Sequence, residues 1–432
     1  MILVLYKFYL YLNIKMINRK VYEDIIQWIW KDKILILKWA RQVWKTTIMK
    51  KIQSQLEKEW KKTFFIFADD LSNKSLFETP DKFIYFLNFK FDIDKLDTKL
   101  YVFIDEFQYI DNAWLFLKNI FDKYKEKLQL IVSGSSSLEI TKNTEFLTWR
   151  NIEFYIDRIS YKEFLEYKFN KTLTFTFKDF DQIKQFYSVF KDELEKYFLE
   201  YISFGWYPEV ITSNTEKEKM YILNSIYKNY IEKDIVAFLK ITNITAFNNL
   251  VKILSSQIWN LLNKMELSNT LWISRITLDK YLDILKWTFI FYYLPPYFSN
   301  IRKELSKMPK VFWEDLWIIN YILWRNLLLK DELNLWAIVE NFVYKQLMYK
   351  DKFSKLYFYQ TISKAEIDFV LENFDKTLSI FEVKYRKKVQ VPNVFKKFED
   401  KYSSLLLNKF IITKDILKYE KWVYFIPACV LI

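Results

Sequence analysis

A chain of 432 residues is long enough for two to four domains of about 100–200 residues each, and 51% hydrophobic against 28% charged residues describes a globular chain rather than a disordered one. The absence of His and the single Cys exclude a Cys/His zinc site, a Ser-His-Asp triad, a Cys-His pair and an intrachain disulfide. A formal charge of +13 suits an acidic partner such as nucleic acid, although Lys spread along the chain reads equally as a solvated surface.

Residues 1–15, MILVLYKFYLYLNIK, have the hydrophobicity of a short signal segment but no small-residue cleavage site. An over-extended start before Met16 is the preferred reading, and a cytoplasmic location fits the lone Cys429. No stretch reaches the ~20 apolar residues of a membrane-spanning helix. Residues 17–30 have the period of an amphipathic helix, and ILIL at 34–37 reads as a buried strand.

KWARQVWKTT, residues 38–47, then follows the phosphate-binding pattern G-x-x-x-x-G-K-[ST], with Lys45 and Thr46 in the last two positions and Trp39 and Trp44 where the glycines belong. The sequence holds Gly 2 against Trp 16, where average usage predicts about 30 glycines. A multi-domain chain needs glycine for turns and helix ends. Trp39, Trp44, Trp206, Trp287, Trp317 and Trp336 sit where turn chemistry wants Gly, so many of these tryptophans read as glycines encoded by UGA and translated as Trp. If Trp39 and Trp44 are genuine, the chain is a pseudo-ATPase whose phosphate space is filled by an indole.

TTIMKKIQSQLEK continues as a helix, and strand, loop, helix is the context this motif requires. The backbone of Trp39, Ala40, Arg41, Gln42, Val43 and Trp44 would wrap the phosphates, Lys45 would reach the β/γ-phosphates of ATP, and Thr46, followed by Thr47, would ligate Mg2+. FFIFAD (64–69) and LYVFIDEF (100–107) read as further buried strands ending in carboxylates. Asp105 suits the metal and Glu106 the polarisation of the attacking water. LQLIVSGSSS (128–137) is a strand ending in hydroxyls, from which Ser133 or Ser135 is expected to contact the γ-phosphate. Strands alternating with helices predict a mostly parallel α/β sheet with its ligand at the carboxyl ends of the strands.

With Trp read as Gly, the ordered set ILKGARQVGKTT, FIDEFQ, SGSSS, TGR (148–150), ISYKEF, FGGYPEV and AEIDFV…FEVKY resembles the prokaryotic AAA+-like P-loop ATPases that carry a carboxy-terminal domain of unknown function related to restriction-endonuclease folds. The resemblance covers Met16 to about Pro427 and implies ATP binding and hydrolysis with Mg2+, through Lys45, Thr46, Asp105 and Glu106. Arg150 is either an arginine supplied to a neighbouring copy or, the preferred reading, a charged helix cap.

After residue 160 the chain reads as mainly helical to about 290, and 274–286, with Arg275, Lys280 and Lys286, resembles the recognition helix of a winged helix-turn-helix. From Leu335 a second α/β pattern begins: a helix, the strand KLYFYQ, and the pair EIDFVLE and LSIFEVKY linked by NFDKT. Glu366 and Asp368 fall on one face of a strand, Glu382 and Lys384 on one face of the next, and Glu340 on the preceding helix. This is the layout of PD-(D/E)xK nucleases, in which the carboxylates hold Mg2+ and the Lys supports the nucleophile. Alternating strands with solvated polar faces are the plainer reading of the same residues.

The expected architecture is α/β: a P-loop sheet (16–160), a helical lid (161–245), a winged-helix region (246–325) and a small PD-(D/E)xK-like α/β domain (326–432). The expected function is an ATP-driven switch coupled to a nuclease-like domain and acting on nucleic acid. Self-association is expected, and neither membrane nor zinc. The alternative is an interaction ATPase that binds a partner without cutting.

Overall fold

A computed structural model describes residues 17–39, 45–134, 147, 149–228, 241, 243–257, 261–288, 290–298, 308–317, 322, 332–350, 354–361 and 363–432. Its contacts divide the chain into two units, 1–159 and 160–432. The amino-terminal extension 1–15 and the loop positions Ala40, Arg41, Gln42, Val43, Trp44 and Ser135 lie outside the described residues, as do the side chains of Trp39 and Lys45.

In the first unit the apolar runs become five parallel strands, β1 (Ile34–Trp39), β2 (Thr63–Phe67), β3 (Leu100–Asp105), β4 (Leu128–Gly134) and β5 (Asn151–Ile156), ordered β2-β3-β4-β1-β5. Successive side chains alternate across the pleat, so β1 to β4 each feed two cores. Ile34, Ile36, Val102, Ile104, Leu130 and Val132 pack with α3 (Pro80–Phe91) and α4 (Ala113–Tyr124). Leu35, Leu37, Tyr101, Phe103, Ile131 and Phe154 pack with α1 (Lys20–Trp28) and α2 (Lys45–Lys58). Thr79 caps α3 by accepting the Lys82 N–H at 3.2 Å, with Pro80 at the first helical position.

β2 and β3 are shorter than their apolar runs suggest. β3 stops at Asp105 because Glu106 takes a left-handed backbone (φ 57°, ψ 42°) and turns the chain into a 3-10 turn, Phe107–Tyr109. Arg150 is suggested by the sequence as a charged helix cap. It enters β5 and bonds the Asp122 carboxylate through Nε at 2.6 Å, while its carbonyl receives the Ile34 N–H at the amino end of the sheet, opposite the end where a nucleotide is expected.

The second unit begins with α5 (Tyr161–Phe169), started by a capping box between Ser160 and Glu163, followed by α6 (Phe180–Phe204), α7 (Pro208–Thr212) and α8 (Glu216–Tyr227). Gly205 ends α6 at φ +77°, and a Cβ there would stand 2.7 Å from Trp317 Cδ1, so only glycine fits. Next come α9 (Ile244–Ser256), α10 (Lys264–Leu271), α11 (Arg275–Trp287) and an antiparallel hairpin, β6 (Phe291–Leu294) with β7 (Lys310–Trp313). A long helix, α12 (Glu332–Lys350), leads into the last sheet. Its strands are β8 (Lys355–Gln360), β9 (Glu366–Glu372), β10 (Leu378–Lys384), β11 (Leu406–Thr413), β12 (Lys418–Glu420) and β13 (Val423–Pro427), ordered β12-β13-β11-β10-β9-β8. α13 (Asn393–Tyr402) joins the parallel pair β10 and β11, and buries Phe395 and Phe398 against Ile367 and Ile380. Among the described residues no helix is long and apolar enough to cross a membrane.

Four of the eleven non-glycine residues with positive φ among the described residues are tryptophans: Trp60, Trp149, Trp272 and Trp422, at φ between 52° and 62°. This matters because a bulky side chain is disfavoured in that backbone region, and these indoles gain little by packing, being 94%, 65%, 93% and 78% exposed. Trp60 and Trp272 end α2 and α10 in Schellman geometry, with Lys61 N–H on Leu56 O (2.9 Å) and Ile273 N–H on Ser268 O (3.2 Å). That is the place glycine usually takes. Lys421 (φ 52°) and Trp422 (φ 61°) form the two-residue link between β12 and β13, a type I′ pattern that favours Asn-Gly. Trp206 and Trp317 differ: both are buried and neither has positive φ, so backbone geometry gives no ground for glycine there.

Trp272→Gly and Trp422→Gly are each expected to raise the stability of this chain by about 1 kcal/mol, read from urea midpoints. Unchanged or lowered midpoints would mean that the left-handed indoles carry no strain.

Candidate functional site

The carboxyl ends of β1, β3 and β4 meet at one cluster. α2 begins at Lys45 and places Thr46 so that its Oγ1 donates to Asp105 Oδ2 at 2.6 Å. Ser133, on β4, donates through its Oγ to Asp105 Oδ1, and the Glu106 N–H approaches the same oxygen at 3.1 Å and Ser133 Oγ at 3.3 Å. Asp105 and Ser133 are buried, which keeps this short hydrogen-bonded set away from bulk water. The turn at Glu106 carries its carboxylate off the strand, where Oε2 accepts from Gln108 Nε2 at 2.5 Å. Thr47 follows in α2 and is half-buried. A hydroxyl and one carboxylate in contact beside a helix start fit Mg2+ bound with a nucleotide, because Mg2+ usually takes one or two protein oxygens and fills its remaining positions with water and phosphate.

A second cluster lies in the carboxy-terminal unit. It brings Glu340 on α12, Glu366 and Asp368 on β9, and Glu382 and Lys384 on β10 near one another, with Lys310 from β7. The Lys310 ammonium forms an ion pair with Glu366 and lies 3.7 Å from Glu340 Oε1. Glu366 also accepts from Gln360 Nε2 at 3.1 Å. The ladder between β9 and β10 ends at the pair Phe369–Phe381, beyond which Asp368 Oδ2 takes the Val383 N–H at 2.7 Å. Lys384 pairs with Glu382 at 2.5 Å.

Burial and like charge govern this cluster. Burial, then Asp368, pushes the Glu340 carboxyl well above the usual range despite Lys310. Burial raises Asp368 too, against Lys310 and the Val383 N–H, and burial with Asp368 pushes Glu382 up to about 7. Burial works against the Lys310 ammonium, but Glu340, Glu366 and Asp368 together outweigh it and raise its pKa.

Glu340, Asp368 and Glu382 are the metal set that the sequence pattern leads one to expect. Among the described residues no group of three or more His, Cys, Asp or Glu is arranged to hold an ion. The carboxylates are drawn to separate partners, Glu340 and Glu366 to Lys310, Glu382 to Lys384, and Asp368 to a backbone N–H. Lys310 was invisible to sequence reasoning because a Lys at the head of KVFW looks like the solvated start of a strand. Arg275, Lys280 and Lys286 are exposed on α11, next to an 84% exposed Ile276.

Three families match successive parts of the chain: an AAA domain over residues 31–165, a domain of unknown function (DUF8612) over 195–328, and a domain of unknown function (DUF4143) over 337–429. An uncharacterized protein of Methanocaldococcus jannaschii is 26% identical over 392 residues, covering 84% of this chain and 82% of its own length. An uncharacterized protein of Haemophilus influenzae is 25% identical over 291 residues, 65% of each chain. Among solved structures, the Aeropyrum pernix ORC1 protein in complex with DNA aligns at TM-score 0.31 and 10% identity, over 72% of this chain and 94% of that one. AMPPCP-bound DnaA from Aquifex aeolicus aligns at TM-score 0.28 and 13% identity, over 62% and 88%. The AAA match and the five-stranded parallel sheet agree on the same residues, and the amino-terminal unit therefore has the fold of an AAA-type P-loop ATPase domain.

Proposed function

We propose that this protein is a Mg2+-dependent ATPase with glycine at positions 39 and 44, coupled to a nuclease-like carboxy-terminal domain and acting on nucleic acid. The carrying observation is the contact of Thr46, Asp105 and Ser133 at the carboxyl ends of three parallel strands. In this reading Thr46 and Asp105 hold Mg2+, Lys45 binds the β/γ-phosphates, Glu106 orients water and Ser133 fixes the Asp105 carboxylate. Bound Mg2+ supplies charge neutralisation on the phosphates. Glycine at 39 and 44 is supported by the four exposed, left-handed tryptophans elsewhere in the chain. Nucleic acid as the partner is supported by the net charge of +13 and the exposed Arg275, Lys280 and Lys286.

A second reading, a regulatory ATPase whose carboxy-terminal domain binds a partner without cutting, is favoured by Lys310 among the carboxylates. Plasmid cleavage with Mg2+ or Mn2+ separates the two. We expect nicking by the chain with glycine at 39 and 44, and loss of nicking in Asp368→Ala and Lys384→Ala. Nicking that survives both changes removes the nuclease site from the account, and no nicking by any of the three favours the second reading.

A further inference from the structure

Lys310 is a buried cation that no strand pattern or motif announces. It is 3% exposed, and the backbone around it is fixed on three sides. Its strand pairs with β6, where Lys310 faces Leu294, and the neighbouring Pro309 carbonyl receives the Leu262 N–H at 2.9 Å. Three residues on, Asn341 of α12 clasps Trp313, accepting its N–H at 2.7 Å and donating to its carbonyl at 2.8 Å. Phe312 stacks on Tyr344 of the same helix with ring centroids 4.5 Å apart. β7 is thereby docked on α12, one face of the cluster.

The carboxylates around the ammonium are incompletely matched. Both Glu340 oxygens are buried without a hydrogen-bond donor, although the carboxylate is 0% exposed. A buried carboxylate without donors is costly unless a cation neutralises it, and Lys310 at 3.7 Å is too far for a hydrogen bond. Three carboxyl groups from two elements thus converge on one positive charge, an oxygen-rich environment of the kind hard divalent ions prefer.

We propose that Lys310 is a built-in counter-cation that competes with divalent ions for the pocket of Glu340, Glu366 and Asp368, and that withdrawing it strengthens the site for Mg2+ or Mn2+. The inference rests on reading these carboxylates as an ion-binding set, but does not require that the domain cut anything. It explains why the nuclease-like residues are assembled yet no metal-holding group forms among the described residues.

The test uses Mn2+ with the full chain and no nucleotide, comparing wild type, Lys310→Met, Lys310→Arg and Lys310→Met/Asp368→Asn. Electron paramagnetic resonance counts bound Mn2+, and thermal melts with and without Mn2+ report folding. Lys310→Met should bind one Mn2+ more tightly than wild type by about tenfold or more and melt higher in its presence. Lys310→Arg should behave as wild type, and the double variant should lose the gained ion. Wild type binding Mn2+ as tightly as Lys310→Met overturns the proposal. So does a Lys310→Met chain that neither binds Mn2+ nor is stabilised by it. Plasmid cleavage is scored separately: an ion gained without cleavage keeps the role of Lys310 and rejects the nuclease reading alone.

Discussion

Replacing Lys45 by alanine in a chain carrying Trp39→Gly and Trp44→Gly should weaken ATP binding by on the order of 100-fold, about 3 kcal/mol. The parent with both glycines should bind MgATP, whereas the chain with Trp39 and Trp44 should not. The reason is geometric as well as electrostatic. Phosphate is held by consecutive backbone N–H groups at a helix start, and α2 begins at Lys45. A side chain at either glycine position keeps the backbone from closing on the phosphates, and Lys45→Ala removes the ammonium that the motif assigns to the β/γ-phosphates. Fluorescent-nucleotide titration reads both effects. Equal affinity in the Lys45→Ala chain rejects the assignment of residues 38–47.

Glu106→Gln, in the same glycine-bearing background, should retain ATP binding and lose hydrolysis by about 10²–10⁴-fold. Glu106 is the residue at which β3 breaks, and its left-handed backbone costs of order 1 kcal/mol for a non-glycine residue. Such a cost is commonly retained where a side chain must be aimed. Asp105 does the opposite work: its carboxylate is already shared by the Thr46 and Ser133 hydroxyls. Asp105→Asn should therefore impair Mg2+-dependent binding itself. Steady-state turnover beside nucleotide affinity distinguishes the two residues, and a Glu106→Gln chain that hydrolyses at the parent rate contradicts the role given to Glu106.

The parallel sheet was legible because strands buried on both faces are written as unbroken apolar runs, and ILIL, LYVFID and LQLIVSG are such runs. The strand pair around NFDKT was legible for a different reason, since Asp375 and Thr377 form a tight turn through the Thr377 N–H and hydroxyl. The end of β3 was not legible: DEF continues the strand pattern, and only the backbone at Glu106 breaks it. The pairing of Arg150 with Asp122 was not legible, because the two residues are 28 positions apart. Lys310 is the largest omission, for its carboxylates come from positions 30 and 56 residues later, and no local pattern encodes that encounter. The composition carried the glycine argument, whereas the backbone singled out Trp60, Trp272 and Trp422, which no motif had marked.

The central claim, a working phosphate loop, is tested most directly by the mass of the tryptic peptide spanning Gln42 to Lys45 from the protein made in its native cell. Glycine at position 44 is the result expected. Tryptophan at that position would contradict the account, leaving a chain with the sheet of an ATPase and no room for its phosphates.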